Sequence, residues 1–232
     1  MSEPAELDET QGLQSWQFIC QIPEFSLDYE TSALVIIDLV YQQASRHHGT
    51  FKRLAEAGLT DDSTYAIDRI ENMVVPNTAR LIDTFREHGA PIIYTRCVSL
   101  RGDGSDQTRR HQAFGLVCSA DSHDAQILDE LAPQPGDIML DKTGSSFFNS
   151  TNAEHLLHNM GVRTLVLTGI WTNSCVEGAT RDGGDRDFDV ALVEDACAAM
   201  SPRGHNNALE YLDKNFCHVW STSEVIARLG RA

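Results

Sequence analysis

The sequence is poor in basic residues. Lysine and arginine together number 18, against 34 aspartates and glutamates, and the formal net charge at pH 7 is -16. A protein that binds nucleic acid or an anionic membrane needs a basic excess to neutralise phosphates. The composition therefore argues against both kinds of partner, and a solvated acidic surface explains the charge.

Long apolar runs, a secretion signal and paired cysteines are also missing. No segment approaches the roughly 20 apolar residues that a membrane-spanning helix needs. Residues 1–10 are acidic and lack the basic start and apolar core of a signal peptide, so we expect a cytoplasmic protein. None of the six cysteines forms a C-x-x-C pair, and in a reducing compartment we expect free thiols.

The chain does contain a regular alternation of apolar runs and amphipathic segments. Strands are predicted at 33–38, 91–95, 137–140, 162–168, 189–193 and 218–220. Helices are predicted at 76–86, 125–131, 151–160, 174–186, 203–215 and 223–229. A less regular segment at 41–65 is a candidate lid, and 101–110 is predicted to be a loop.

This alternation predicts the fold class. It indicates an α/β protein, a three-layer Rossmann-like fold with a mostly parallel central sheet flanked by helices. With no internal linker or repeat, we expect one domain over residues 31–232, preceded by an N-terminal arm at 1–30.

Three reactive residues follow predicted strands. Asp38 ends the first strand, Lys142 follows the strand at 137–140, and Cys175 follows the strand at 162–168. In open α/β sheets, ligands bind at the carboxyl ends of the strands. Cys175 also lies near a predicted helix N-terminus, which favours a thiolate and predicts a lowered thiol pKa. Each residue alone has an ordinary explanation, but their shared edge favours a catalytic site.

The motifs around these residues resemble a known family. They are Val35-Ile36-Ile37-Asp38, the run from Asp141 to Phe147 around Lys142, and the run from Gly169 to Val176 around Cys175. Two later runs match as well, Thr180-Arg181-Asp182 and Val193 to Ala198. Over roughly residues 30–225 the chain resembles the isochorismatase-like cysteine hydrolases.

The resemblance implies an Asp–Lys–Cys triad that cleaves C–N bonds of small amides or ureido compounds without a cofactor. Asp38 would accept the thiol proton and return it to the leaving nitrogen, while Lys142 would hold a positive charge beside it. Cys175 would form a thioester or thiocarbamate. The backbone N–H groups of Trp171 and Cys175 would form the oxyanion hole, with a cis peptide at Ile170–Trp171. A homo-oligomer, often a tetramer, is also implied.

Departures from the family pattern concern metal and reaction type. The nicotinamidase branch carries an Asp-x-His metal site after the second strand, but residues 94–98 contain no histidine, so we expect no metal. His47 and His48 lack a helical i, i+4 ligand pattern and are predicted to be surface residues.

Cys175 favours amide or ureido hydrolysis over isochorismatase-type vinyl-ether cleavage. A non-catalytic interaction module with a redox-sensitive thiol is a third hypothesis, against which the complete triad argues.

The residues predicted to contact substrate lie in or near these motifs: Tyr41, Arg96, Phe147, Trp171 and Asn173. Core packing explains Trp171 and Phe147 equally well, and turn capping explains Asn173. An arginine near the pocket could pair with a carboxylate or a ureido carbonyl. The other arginines considered for this role are Arg101, Arg109 and Arg110, and at least two of the four are expected to be solvated.

Overall fold

The computed structural model describes residues 21–115 and 117–229, and its centre is a six-stranded sheet. The strands are β1 (Ser32–Ile37), β2 (Ile92–Cys97), β3 (Ile138–Lys142), β4 (Thr164–Ile170), β5 (Asp189–Ala198) and β6 (His218–Trp220). Their order is β3-β2-β1-β4-β5-β6, and every neighbouring pair is parallel. The predicted Rossmann-like α/β fold is confirmed. The order changes direction between β1 and β4, where this class of fold binds its ligands.

The helices are α1 (Tyr41–Ala44), α2 (Gly49–Glu56), α3 (Thr60–Arg69), α4 (Val75–Glu87), α5 (Arg109–Phe114), α6 (Ala153–Asn159), α7 (Glu177–Gly184), α8 (Pro202–Leu212) and α9 (Thr222–Leu229). Two π-helical turns occupy Ile70–Val74 and Thr172–Val176, and two 3₁₀ turns occupy His123–Ala125 and Asp129–Leu131. Among the described helices, none is long and apolar enough to cross a membrane.

Both faces of the sheet are covered, which explains the continuous apolar run of β1. All six residues of β1 are buried. Because successive side chains of a strand point to opposite faces, Leu34 and Ile36 join the core that contains α4. Val35 and Ile37 join the second core, with α6 and α7. Burying each such aliphatic side chain contributes roughly 1.5–3 kcal/mol to the stability of the fold. Packing on both faces therefore stabilises the strand that Asp38 follows.

The segment predicted as a lid is more regular than expected. Residues 41–65 form α1, α2 and the first part of α3. The helix predicted to begin at Pro76 begins earlier, because α3 continues through the π-helical turn Ile70–Val74 into α4. Pro76 lies in the first turn of α4, where its missing N–H is tolerated. Pro76 therefore lies where the π-helical turn gives way to α-helix, and not at the point where the helical segment begins.

The prediction of a helix at 125–131 is wrong, because the backbone groups of this segment form hydrogen bonds with residues that are distant in the sequence. The Tyr41 N–H donates to the Gln126 carbonyl, and the Leu128 N–H donates to the Leu39 carbonyl, each at 3.1 Å. These bonds flank an antiparallel bridge between Val40 and residue 127. Only the two short 3₁₀ turns remain on either side.

Three other predicted boundaries also move. The loop at 101–110 ends in α5, where the Thr108 hydroxyl caps the helix by accepting from the His111 N–H. The helix predicted at 174–186 begins as the π-helical turn and continues as α7. Strand β5 extends beyond Val193 because Cys197 and Ala198 pair with the end of β4 after a shift in register.

The described part of the predicted N-terminal arm lies against β6. The Ile22 N–H donates to the Lys214 carbonyl at 2.9 Å, and the ring of Phe25 lies 5.2 Å from that of Trp220. The rest of that predicted arm, residues 1–20, is outside the described residues.

Candidate active site

Asp38 follows β1 directly, at the carboxyl edge of the sheet. Its φ of 57° lies in the left-handed region, which aspartate tolerates better than most residues. Its N–H donates to the Thr95 carbonyl at 3.0 Å, which ties the end of β1 to β2. The residue is completely buried. A carboxylate without contact to water requires a cationic partner.

That partner comes from a strand that does not touch β1. Lys142 ends β3, and β2 lies between β3 and β1. Since neighbouring strands lie about 4.8 Å apart, only a long side chain reaches across the intervening strand. Cys97, at the end of β2, is the register partner of Lys142 and provides a small side chain on this path. The Lys142 side chain is completely buried.

Cys175 reaches the same edge from the other side of β1. Gly169 of β4 has a φ of 111°, and a Cβ atom there would lie 2.0 Å from the Ile37 carbonyl oxygen, so only glycine fits beside β1. The peptide bond Ile170–Trp171 is cis. The π-helical turn Thr172–Val176 then carries Cys175, which is 4% exposed.

The structure brings these three residues into contact, and we call them the buried cluster. The Lys142 ammonium nitrogen lies 2.8 Å from Oδ2 of Asp38 and 3.4 Å from Sγ of Cys175. It also donates to the Gly144 carbonyl at 3.2 Å. Apart from the ammonium and the thiol, the Asp38 carboxylate has no hydrogen-bond partner among residues 21–115 and 117–229. The carboxylate is therefore placed to receive a proton.

The expected low pKa of Cys175 is wrong for the resting site. Burial raises the pKa of the thiol to about 11, and the Lys142 ammonium opposes this only partly while the Asp38 carboxylate adds to it. Burial by itself lowers the pKa of Lys142, but the negative charge of Asp38 and its hydrogen bond to the ammonium outweigh burial, and the pKa is raised. At neutral pH the site holds a thiol beside an ion pair, and the sulfur would have to lose its proton to a base before it could act as a nucleophile.

A cavity of about 390 Å³ opens above Cys175. This volume lies within the roughly 300–1,000 Å³ typical of small-molecule sites. Its apolar wall consists of Leu54, Phe114, Trp171 and Met200. Its polar wall includes Gln42, Gln43, Thr50, Asn173 and Ser174. Cys97 adds a second thiol, and burial raises its pKa to about 12.

Two of the predicted substrate contacts lie at this cavity, namely Trp171 and Asn173. Arg96 does not line it, because its guanidinium is engaged elsewhere. Nε lies 2.5 Å and Nη2 3.1 Å from the two carboxylate oxygens of Asp141, and Nη1 donates to the carbonyls of Ala120 and Ala125. This bidentate pair joins β2 to β3 and leaves Arg96 a structural role.

Tyr41 and Phe147 are likewise absent from the residues that line the cavity in the described parts of the chain. The Tyr41 ring lies 4.4 Å from the ring of His123. Phe147 is buried and stacks on Phe148 with a centroid distance of 4.4 Å. Core packing, the alternative considered from the sequence, accounts for Phe147.

The helix α5 supplies three residues of the cavity wall, and of these the sequence indicated only Arg110, as one of four candidate arginines. Arg110, His111 and Phe114 all line the cavity, and we call them the α5 rim. Burial lowers the pKa of His111, and the positive charges of Lys142 and Arg110 lower it further. His111 is therefore neutral at pH 7. Helix α5 has only six residues and none of them is buried, so it leaves no apolar periodicity in the sequence.

A second missed group supports the turn that carries Cys175. His205 of α8 is buried, and its Nδ1 lies 2.8 Å from the hydroxyl of Thr172. The Arg69 guanidinium donates to its Nε2 at 2.9 Å and to the carbonyls of Glu194 and Cys197. Burial, with the charge of Arg69, lowers the pKa of His205 to about 4. A neutral histidine thus connects α8 and α3 to the π-helical turn that carries Cys175.

One group of potential metal ligands lies apart from the buried cluster. Ligand atoms of His48, His123 and Asp124 lie within 4.8 Å of one another, and His123 is exposed. His48 is partly buried and its Nδ1 lies 2.9 Å from the Ser45 hydroxyl, so the predicted surface position is only partly correct. None of these three residues is among the described residues that line the cavity. The prediction of metal-independent chemistry stays a prediction.

Comparisons with known proteins agree with this architecture. Residues 32–224 match the family model described as the isochorismatase domain. The chain is 29% identical over 248 residues to the ureidoacrylate amidohydrolase RutB of Methylobacterium radiotolerans, covering 99% of this chain and 92% of the relative. The ureidoacrylate amidohydrolase RutB of Rhizobium rhizogenes is 30% identical over 194 residues, covering 76% and 78%. A crystal structure of a cysteine hydrolase from Pseudomonas syringae pv. phaseolicola 1448A shares the fold, with a TM-score of 0.75, 24% identity and coverage of 90% and 98%.

Proposed function

The chain belongs to the isochorismatase family, and on that premise we propose that it is a cysteine-dependent amidohydrolase. It cleaves a C–N bond of a small carbamoyl, ureido or carboxamide compound through a covalent intermediate on Cys175. The observation that carries the proposal is the position of the Lys142 ammonium between the carboxylate of Asp38 and the thiol of Cys175, beneath one cavity.

The first half of the reaction forms an acyl-enzyme. Because the thiol pKa is about 11, Asp38 takes the Sγ proton as the thiolate attacks the carbonyl carbon. The negative charge moves to the carbonyl oxygen, which the backbone N–H groups of Trp171 and Cys175 receive. The C–N bond then breaks, and the departing nitrogen takes the proton from Asp38. An amine or ammonia leaves, and the acyl group stays on sulfur.

The second half returns the enzyme to its starting state. A water gives a proton to Asp38 and attacks the thioester or thiocarbamate carbon. The C–S bond breaks, and the thiolate recovers the proton from Asp38. Lys142 remains protonated throughout, because its raised pKa keeps the ammonium charged. Its charge stabilises the carboxylate and the thiolate in turn.

The substrate class rests on the relatives. Two of them are ureidoacrylate amidohydrolases, and a ureido compound offers a carbonyl carbon between two nitrogens. The cavity, with its apolar wall and a few polar groups beside Cys175, suits a small ligand of this kind.

Ammonia release from a panel of ureido and carboxamide compounds tests the proposal. The wild-type protein is expected to release ammonia from at least one ureido compound, and Cys175→Ser is expected to release none. Cys118→Ser is the matched control, because Cys118 is also buried but packs in a separate small cluster with Val98 and Ala125. Equal turnover by the wild type and Cys175→Ser would overturn the proposed function.

A further inference from the structure

The lining of the cavity is positively charged, although the protein as a whole is strongly negative. The chain has a net charge of -16, yet no carboxylate side chain is among the described residues that line the cavity. Arg110 is the one permanently charged side chain in that lining. Its neighbour His111 is neutral at pH 7, because burial and the nearby cations lower its pKa. The entrance to Cys175 therefore carries a single, uncompensated positive charge.

Arg110 is held in place by groups that do not cancel its charge. Nη1 donates to the Ser145 hydroxyl at 2.6 Å, and Nη2 donates to the Ser174 hydroxyl at 3.1 Å. The guanidinium also lies 5.0 Å from the centre of the Phe114 ring. Ser145 belongs to the segment after Lys142, and Ser174 directly precedes Cys175. The guanidinium is thus fixed to both motifs of the active site.

Some of the other described arginines have anionic partners. Arg96 pairs with Asp141, and Arg186 pairs with Glu154 and Asp182. Within residues 21–115 and 117–229, Arg110 has no carboxylate within ion-pair distance and makes only the two hydroxyl hydrogen bonds. A guanidinium has five N–H donors. The remaining donors form the fork that binds a carboxylate in a bidentate manner.

We propose that Arg110 binds a carboxylate of the substrate, so that this protein acts on small ureido or amide acids in preference to neutral amides. The assignment rests on the proposed function and narrows its substrate class. The carbonyl to be cleaved lies at Cys175, and the carboxylate at the other end of the molecule lies at the α5 rim. Of the four arginines considered from the sequence, the structure selects Arg110 and excludes Arg96.

Binding measurements test this assignment independently of turnover. The probes are 3-ureidopropionate and n-butylurea, which share the ureido group and have similar length, but only the first carries a carboxylate. Calorimetric titration uses Cys175→Ala protein, so that neither probe is consumed. We expect 3-ureidopropionate to bind about 10- to 100-fold more tightly than n-butylurea, the range that a charge-assisted hydrogen-bonded pair supplies.

Variants of two adjacent arginines separate recognition from a structural role. Arg110→Gln keeps a hydrogen-bonding side chain and should remove the preference for 3-ureidopropionate while n-butylurea binds as before. Arg110→Lys, which keeps the charge and loses the fork, should retain part of the preference. Arg109→Gln is the matched control, because Arg109 is also exposed on α5 but does not line the cavity, and this variant should bind both probes as the Cys175→Ala protein does.

The outcomes also separate this inference from the proposed function. The inference is overturned if both probes bind equally, if neither binds, or if Arg110→Gln weakens both probes alike, as a purely structural role would. In turnover, Arg110→Gln should raise KM for 3-ureidopropionate about 10- to 100-fold with kcat little changed. If binding depends on Arg110 but no ureido or amide compound releases ammonia, the proposed function is wrong and the carboxylate receptor stands.

Discussion

Asp38 and Lys142 are completely buried at the ends of strands, whereas Arg110 is exposed on a six-residue helix with no buried residue. Both regions place charge near Cys175, but by different means. In the buried cluster each charge depends on its partner, because an unpaired charge without water is costly. On the α5 rim, solvent tolerates an unpaired cation. In the proposed reaction the sheet fixes the chemistry, and in the proposed substrate assignment a short surface helix selects the substrate.

The largest expected effect is the loss of turnover on replacing Cys175. Cys175→Ser and Cys175→Ala should lower kcat by at least ~10⁴-fold, because the covalent intermediate of the proposed reaction forms on the Cys175 sulfur. The fold should survive, since the change removes few atoms. Ammonia release and thermal melting of both variants check this. Cys118→Ala should keep near wild-type turnover. If its turnover fell as far as that of the Cys175 variants, the loss would not be specific to Cys175.

The second effect concerns stability within the buried cluster. Asp38→Asn keeps a side chain that tolerates positive φ but leaves the Lys142 ammonium buried without its counter-charge. We expect a loss of about 3–5 kcal/mol in the free energy of unfolding, measured by urea denaturation. Adding Lys142→Met should restore most of that stability without restoring turnover. If Asp38→Asn alone is as stable as the wild type, the pair is not the buried ion pair described here.

The third effect is a pH dependence of stability that comes from His205, which supports the π-helical turn that carries Cys175. Its pKa in the folded protein is lowered to about 4, so the unfolded chain binds its proton first as the pH falls. The contribution of His205 to the free energy of unfolding is therefore at its full value above about pH 6.5. It falls by roughly 2–3 kcal/mol as the pH falls toward 4. Unfolding measured between pH 7 and 4 should show a shallower loss for His205→Gln than for the wild type. His155→Gln, at an exposed position, should leave the slope unchanged.

The smallest expected effect is that of a chelator. Neither the buried cluster nor the α5 rim needs a metal for the reaction proposed, so EDTA should leave turnover unchanged. The His48, His123 and Asp124 group is the place to examine if it does not. Activity that falls in EDTA and returns with a divalent metal would contradict the expectation, and His123→Ala would then show whether this group holds the ion.

The same comparison explains what could be predicted from the sequence. Asp38, Lys142 and Cys175 each follow an apolar strand, and parallel strands place their carboxyl ends together, so local pattern was enough to group them. The α5 rim is polar and short, and its position depends on long-range contacts such as Arg110 with Ser174. The ion pair of Arg96 could not be predicted from local pattern, because its partner, Asp141, lies on a different strand. The thiol pKa was mispredicted because burial outweighs the helix terminus, and burial is a property of the whole fold.

Mass spectrometry of the intact protein tests the central claim most directly. The wild-type protein is mixed with a ureido substrate that it hydrolyses, quenched in acid within the first turnovers, and digested to locate any adduct. The account predicts a mass increase equal to the acyl or carbamoyl group, on the peptide that contains Cys175 and not on the one that contains Cys97. Rapid turnover with no adduct on Cys175, or an adduct on another residue, would contradict it.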